Sequence, residues 1–282
     1  MQPARAFTIS NRGAAIPAIG YGTVEFPEPD RAPELVAHAI ECGYRHIDTA
    51  RKYGSEQWVG EGIRATGIRR EELFITTKVT EDNAREADFA RSVETSLKTL
   101  GLDYVDLLLI HWPQPRVPLA ETLGALRRAK SQGLTRHIGV SNFTVALLEE
   151  ASRICPDELV TNQIEYHALL RQDKQLAACR RHGLMVTCHA PLARGRLLDD
   201  PVIGAAAATH GKTPAQVALR WLVQQPGIAA VPRALEPAQI EENIDIFNFA
   251  LSDAEMERIG ALRDNMVRIV DPAVRRPVWD VG

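Results

Sequence analysis

Short apolar runs of four to six residues alternate along this chain with longer stretches whose apolar positions recur every three or four residues. The runs are continuous rather than alternating, as befits parallel strands buried on both faces. The longer stretches read as amphipathic helices. Strands are predicted at Ala18–Tyr21, Tyr44–Ile47, Leu73–Lys78, Val105–Ile110, His137–Val140, Leu159–Ile164, Leu184–Cys188 and Ile228–Val231. Helices are predicted at Arg31–Cys42, Ser55–Thr66, Ala84–Leu100, Leu119–Gln132, Val145–Ser152, Gln172–His182, Pro201–His210 and Pro214–Gln225. Ser55 and Thr213 stand as helix N-caps, the second followed by Pro214 at the first helical position. Ahead of them, Thr8–Ser10, a turn at Asn11-Arg12-Gly13 and Ala14–Ile16 read as a small hairpin. Eight strands with helices between them fit an α/β fold, either a closed (β/α)8 TIM barrel or an open doubly wound sheet. No Gly-x-Gly-x-x-Gly follows the first strand, which favours the barrel. Beyond Leu262 the chain turns polar and carries Pro272, Pro277 and Trp279, a tail suited to lying near the barrel mouth.

Composition narrows the class. At 282 residues the chain is long enough for two domains, yet α/β barrels of roughly 250 residues form one, and residues 1–282 are read as a single barrel with its tail from about 262. A net charge of -3 gives no reason to expect nucleic acid or an anionic membrane as partner. Met1 to Arg5 lacks an apolar signal core, and no apolar run approaches the ~20 residues of a membrane helix. Cys42, Cys155, Cys179 and Cys188 form no Cys-x-x-Cys pair and are read as buried structural thiols, with no metal site expected. A cytoplasmic monomer is the expectation.

The chemistry gathers at strand ends. The run Tyr44–Ile47 ends on Asp48, the next strand on Lys78, and Val105–Ile110 on His111, with Tyr53 on the loop after Asp48. Catalytic groups in a barrel come from the C-terminal ends of its strands, so these four can converge. A free phenol has a pKa near about 10 and holds its proton tightly, and an adjacent ammonium lowers that value. Asp48 paired with Lys78 would keep the ammonium charged and aimed, and His111 would hold a substrate oxygen in line. Such a site gives a proton to an oxygen that gains negative charge. Taken singly, the Asp is an ordinary loop or cap residue, the Lys a solvated one and the Tyr a packing one; it is their joint occurrence that argues for a site. His46, His137, His167, His182 and His210 are read as structural or surface residues.

Gly43–Ala50, Thr76–Val79, Asp103–Leu107, Ile110–Pro113, Ile138–Phe143, Asn162–Tyr166 and Glu242-Asn243, in that order over nearly the whole chain, resemble the aldo-keto reductases. The end of the chain, Asp271-Pro272 through Asp280, is similar to the microbial 2,5-diketo-D-gluconate reductase branch, whose members have short mouth loops. The resemblance implies a barrel that reduces small aldehydes and ketones, 2-oxoaldehydes and diketo sugar acids among them, with NADPH, NADH being possible as a substitute. It implies that Tyr53 is the general acid, Lys78 its partner, Asp48 the residue paired with that lysine and His111 the group orienting the carbonyl. It places Ser141, Asn142 and Gln163 on the nicotinamide carboxamide, with Gly22, Thr23 and Asp48 beside the nicotinamide. Leu192 and Gly195 correspond to the segment over the pyrophosphate, Arg233 and Gln239 to the 2′-phosphate segment, and Glu242 and Asn243 to the adenine contacts. Val24 and Trp112, with Tyr53 and His111, would line the substrate pocket.

Three positions depart from the family pattern. His189 stands where the family usually has a Tyr stacked on the nicotinamide, so weaker nicotinamide binding is expected. Val231-Pro232-Arg233-Ala234, followed by Gln239, keeps one cation of the phosphate segment and lacks its Ser and second cation, which predicts a reduced preference for NADPH over NADH. Trp58, in the segment after Tyr53, is expected to pack beneath the second helix. Two other classes fit less well: a cofactor-bound regulatory or sensor subunit, which has no need of a proton donor, and a metal-dependent hydrolase, for which Tyr21-Gly22-Thr23 lacks the paired histidines.

Overall fold

A computed structural model describes residues 7–26 and 28–280; the N-terminal reading at Met1 to Arg5 and the last two residues of the tail lie outside these. The predicted hairpin forms from β1 (Thr8–Asn11) and β2 (Ala14–Pro17). Its turn places Arg12 and Gly13 at φ 46° and 81°, the left-handed pair that matches strand twist in a two-residue loop. Ala14 and Ile16 pack with Phe74, Leu107, Leu109, Val160, Met185 and Ala229 inside the barrel. Asn11 Nδ2 donates to Val160 O at 2.7 Å and Arg12 Nη1 to Leu159 O at 2.5 Å, which seats the hairpin on the N-terminal ends of the strands.

The barrel strands are β3 (Tyr21–Gly22), β4 (His46–Asp48), β5 (Phe74–Val79), β6 (Val105–Ile110), β7 (Thr135–Ser141), β8 (Leu159–Glu165), β9 (Met185–His189) and β10 (Ile228–Ala230), each hydrogen-bonded in parallel to the next in chain order. Closure comes from parallel bridges Ile19–Ala230 and Gly22–Arg233, with Gly20 N donating to Ala230 O at 2.8 Å. An open sheet is thereby excluded. Gly22 makes the seam possible: a Cβ there would sit 2.8 Å from Val231 O, closer than side chains approach backbone. The first strand is shorter than predicted, because Ala18 and Ile19 leave the regular ladder and meet β10 through isolated bonds.

Around the barrel run α1 (Ala32–Glu41), α2 (Glu56–Thr66), α3 (Glu86–Leu100), α4 (Leu119–Ser131), α5 (Val145–Ile154), α6 (Asp173–Arg181), α7 (Pro201–His210), α8 (Pro214–Val223), α9 (Pro237–Ile244) and α10 (Asp253–Ala261). Thr213 caps α8 with a reciprocal Gln216 bond, as its sequence predicts. Ser55 precedes α2 but does not cap it; its hydroxyl lies 3.1 Å from Thr49 Oγ1 and 3.2 Å from Thr23 Oγ1, under the site loops. Helices α9 and α10 were not anticipated, although Pro237 at the first turn and the Ser252–Glu255 capping box announce them. Trp58 packs against the core from the second helix, as expected. Among the described residues no helix is long and apolar enough to cross a membrane.

The tail closes over the C-terminal rim. Buried Glu165, the last residue of β8, accepts Ile269 N at 2.6 Å and Val270 N at 2.7 Å. Asp280 accepts the Val145 N–H that opens α5, at 2.9 Å, and Trp279 meets Trp112 edge-on with ring centres 6.0 Å apart. Burial works against the Glu165 charge, but His167, His189 and the two backbone donors outweigh it and hold the carboxyl below its usual range.

Candidate active site

In a parallel barrel every strand ends on the same rim, and here β4, β5 and β6 bring Asp48, Lys78 and His111 together there. Lys78 Nζ donates to Asp48 Oδ1 at 2.5 Å and to Thr49 O at 2.9 Å; its side chain is fully buried and that of Asp48 4% exposed. Burial pulls against the ammonium, but Asp48 and Tyr53 together outweigh it and hold Lys78 above its usual value. The second Asp48 oxygen accepts Gln163 Nε2 at 2.7 Å, so the carboxylate is gripped from both sides.

Tyr53 ends a single tight turn, Arg51–Tyr53, that Gly54 closes at φ 68°. That conformation costs glycine little and holds the ring in place. The Tyr53 hydroxyl accepts from Lys78 Nζ at 3.4 Å, and its ring meets His111 edge-on at 5.6 Å. The ammonium lowers the phenol pKa as the sequence predicts, but burial is the larger influence, and the net displacement is upward. The lowering by Lys78 is thus present but outweighed by burial, which favours the protonated phenol. His111 is held neutral, its pKa driven well below normal by burial and by the positive charges of Lys78, Arg275 and Lys52. Its Nδ1 is a buried nitrogen without a partner among the described residues.

Beyond these four, the side-chain amides of Asn142 and Gln163 line the floor. Asn142 sits in the left-handed region at φ 61°, where its side chain donates to His111 O at 3.0 Å and contacts His189 Nε2 through Oδ1 at 3.0 Å. Ser141 does not reach the cleft wall; its hydroxyl donates to Gln163 O at 2.8 Å, directly behind it. His189 occupies the rim as predicted, its pKa lowered to about 4 chiefly by burial, so a neutral ring faces the floor.

One continuous cleft of about 1030 Å³ joins this floor to the far side of the rim. Gly22, Thr23, Val24, Asp48, Tyr53, His111, Trp112, Asn142, Gln163 and His189 line it, together with Leu192, Gly195, Arg233, Gln239, Glu242 and Asn243. Lys78 lies behind the wall and meets the cleft through its bonds to Asp48 and Tyr53. Two acids missed in the sequence shape the cleft. Glu25, at φ 55°, lies 3.5 Å from Arg194 and 3.6 Å from Arg233, bridging the opening between the two cations. Glu81 holds Lys52 at 3.2 Å and Arg275 at 3.1 Å beside Trp112. Arg194 and Arg275 also line the cleft, and Arg276 pairs with Asp271. Glu25, Asn142, Ala190 and Arg194 all line the cleft with positive φ, a concentration of backbone strain of about 1–3 kcal/mol per residue that is common at functional sites.

The donor set suits a nicotinamide dinucleotide: neutral amides, a neutral imidazole and a guanidinium for phosphate on the wall of one roomy cleft. Sequence comparison matches residues 18–264 to the Aldo/keto reductase family. The chain is similar to the methylglyoxal reductase DkgB of Escherichia coli O157:H7, 41% identical over 269 residues that cover 94% of this chain and all of that protein. Its fold superposes on the crystal structure of a candidate 2,5-diketo-D-gluconic acid reductase B with a TM-score of 0.94 and 44% identity, over 98% of each chain. The Bombyx mori aldo-keto reductase, solved in complex with NADP, gives a TM-score of 0.86 at 35% identity, over 93% of each chain.

Proposed function

Because the chain belongs to the aldo/keto reductase family, we propose that it reduces small aldehydes and ketones to alcohols with NADPH, Tyr53 giving the proton. The observation that carries this reading is the buried relay Asp48–Lys78–Tyr53 opening onto His111. The bound nicotinamide would supply the hydride to the carbonyl carbon. Tyr53 gives its proton to the carbonyl oxygen as charge develops there, and Lys78 stabilises the phenolate left behind. Asp48 and Thr49 O keep the ammonium aimed. Neutral His111 offers a ring N–H to the same oxygen and fixes its direction. Asn142 and Gln163, with Ser141 behind them, would hold the carboxamide; Gly22, Thr23 and His189 would bound the ring. Leu192 and Gly195 would cover the pyrophosphate, Glu242 and Asn243 face the adenine, and Val24 and Trp112 wall the substrate.

Arg233 would take the 2′-phosphate, with Gln239 beside it. Glu25 already contacts that guanidinium, so phosphate and carboxylate compete for it, which agrees with a reduced preference for NADPH over NADH. Arg233→Ala is expected to raise the KM for NADPH about tenfold, the low range for loss of a charged hydrogen bond, and to leave that for NADH unchanged. Equal KM values for NADPH in variant and wild type would remove Arg233 from the role.

Substrate class follows from the cations at the mouth. Lys52 and Arg275 around Glu81 form a trio with one net positive charge, close enough to lower the His111 pKa. A carbonyl compound bearing a carboxylate, such as a diketo sugar acid, gains from that charge, whereas methylglyoxal does not. Arg275→Gln is expected to raise the KM for the acid about tenfold and leave methylglyoxal kinetics unchanged; a parallel loss for both would assign Arg275 to tail packing alone. A cytoplasmic, monomeric enzyme belongs to the same reading.

A further inference from the structure

Away from the cleft, α1 and α9 bring three metal-binding side chains to one point. His38 Nε2 lies 3.1 Å from Glu241 Oε1 and 3.3 Å from Cys42 Sγ, and the three donor atoms all fall within 4.8 Å of one another. His38 and Cys42 are four residues apart at the C-terminal end of α1, so both face α9, which supplies Glu241. This convergence is awkward for hydrogen bonding. A ring nitrogen has one in-plane position, either N–H or lone pair. As a donor Nε2 serves Glu241 and turns its hydrogen away from the sulfur; as an acceptor it serves the thiol and sets a lone pair against the carboxylate. A cation at the centre engages all three.

We propose that His38, Cys42 and Glu241 form a zinc site on the outer face of the barrel, with solvent as fourth ligand. Thiolate, imidazole and carboxylate are the ligand set of tetrahedral Zn²⁺. Usual Zn–S and Zn–N lengths put sulfur and nitrogen roughly 3.6 Å apart, and nitrogen and oxygen roughly 3.3 Å apart. The two observed separations from His38 lie within a few tenths of an ångström of these, and the sulfur and carboxylate lie within 4.8 Å of each other, to close on the ion as it binds. Thiolate and carboxylate together neutralise the ion. Glu241 is 58% exposed, which leaves the outer side open for entry and for the water ligand. The ion joins α1 to α9, the helix whose Glu242 and Asn243 line the cleft, so occupancy stiffens that wall.

The site is tested on the full-length chain stripped with chelator and titrated with Co²⁺, then with Zn²⁺ in competition. The expected result is one equivalent of Co²⁺ with a sulfur-to-metal charge-transfer band, displaced by Zn²⁺, and a rise in Tm with Zn²⁺. Cys42→Ser loses the band, and His38→Ala loses stoichiometric binding. Glu241→Gln, at an exposed position that folding does not depend on, binds more weakly. All three variants keep carbonyl reductase activity without metal. Absence of the band in the wild type, or its persistence in Cys42→Ser, overturns the assignment, and so does unchanged affinity in Glu241→Gln.

Discussion

Tyr53→Phe is expected to lower kcat for carbonyl reduction by about 10³-fold or more, near the upper range for removal of a positioned general acid, with NADPH affinity nearly unchanged. The substitution deletes one oxygen that accepts from Lys78 at 3.4 Å and keeps the ring that packs edge-on against His111. The cleft walls therefore stay in place, and the loss falls on the chemical step rather than on binding. Steady-state turnover together with fluorescence titration of NADPH separates the two. Equal turnover in the variant would remove Tyr53 as proton donor, and a parallel loss of cofactor binding would make it a structural residue. The pH dependence has a definite sign. Reduction needs the protonated phenol, and burial holds the Tyr53 pKa above its ordinary value. The rate is accordingly level through neutral pH and falls only as pH rises toward that pKa.

Lys78→Met is expected to damage both activity and stability. It removes the ammonium that stabilises the Tyr53 phenolate and leaves a carboxylate only 4% exposed with Gln163 as its remaining side-chain donor. Breaking a buried ion pair by removing one partner costs about 3–5 kcal/mol, which denaturant unfolding would register as a lower midpoint with an unchanged slope. The pairing also fixes a pH trend for the wild type. The Lys78 pKa is raised in the folded state, so its contribution is complete at neutral pH and is lost as pH climbs through the raised value. Asp48→Asn with Lys78→Met together should recover much of the stability without the activity, since no unpaired charge then remains; failure of that double variant to regain stability would contradict the burial argument.

The parts of the site legible in the sequence were those governed by one simple rule. Asp48, Lys78 and His111 could be placed together because each ends a strand, and strands of a parallel barrel share a rim. Contacts between distant segments had no local signature. Glu25 meets Arg233 across 208 residues, and Glu165 takes the tail backbone across 104, so neither acid stood out from ordinary polar positions. The net direction of the Tyr53 pKa has the same origin: the lowering charge of Lys78 is visible in the chain, whereas the burial that outweighs it belongs to the fold. Ser55 had the residue type and position of a cap, yet two threonine hydroxyls claimed its side chain. Cys42 was grouped with the buried thiols, while it is half-buried beside His38, and its third neighbour comes from a helix that the apolar pattern did not reveal.

The measurement that bears most directly on the proposed activity is oxidation of NADPH and of NADH in one buffer against methylglyoxal, an aromatic aldehyde and 2,5-diketo-D-gluconate, with Tyr53→Phe run alongside. Tyr53-dependent oxidation with at least one carbonyl, faster with NADPH but with a modest margin over NADH, is the predicted result. Tight NADPH binding with no turnover of any of the three would contradict it and move the chain to a cofactor-binding sensor or partner role.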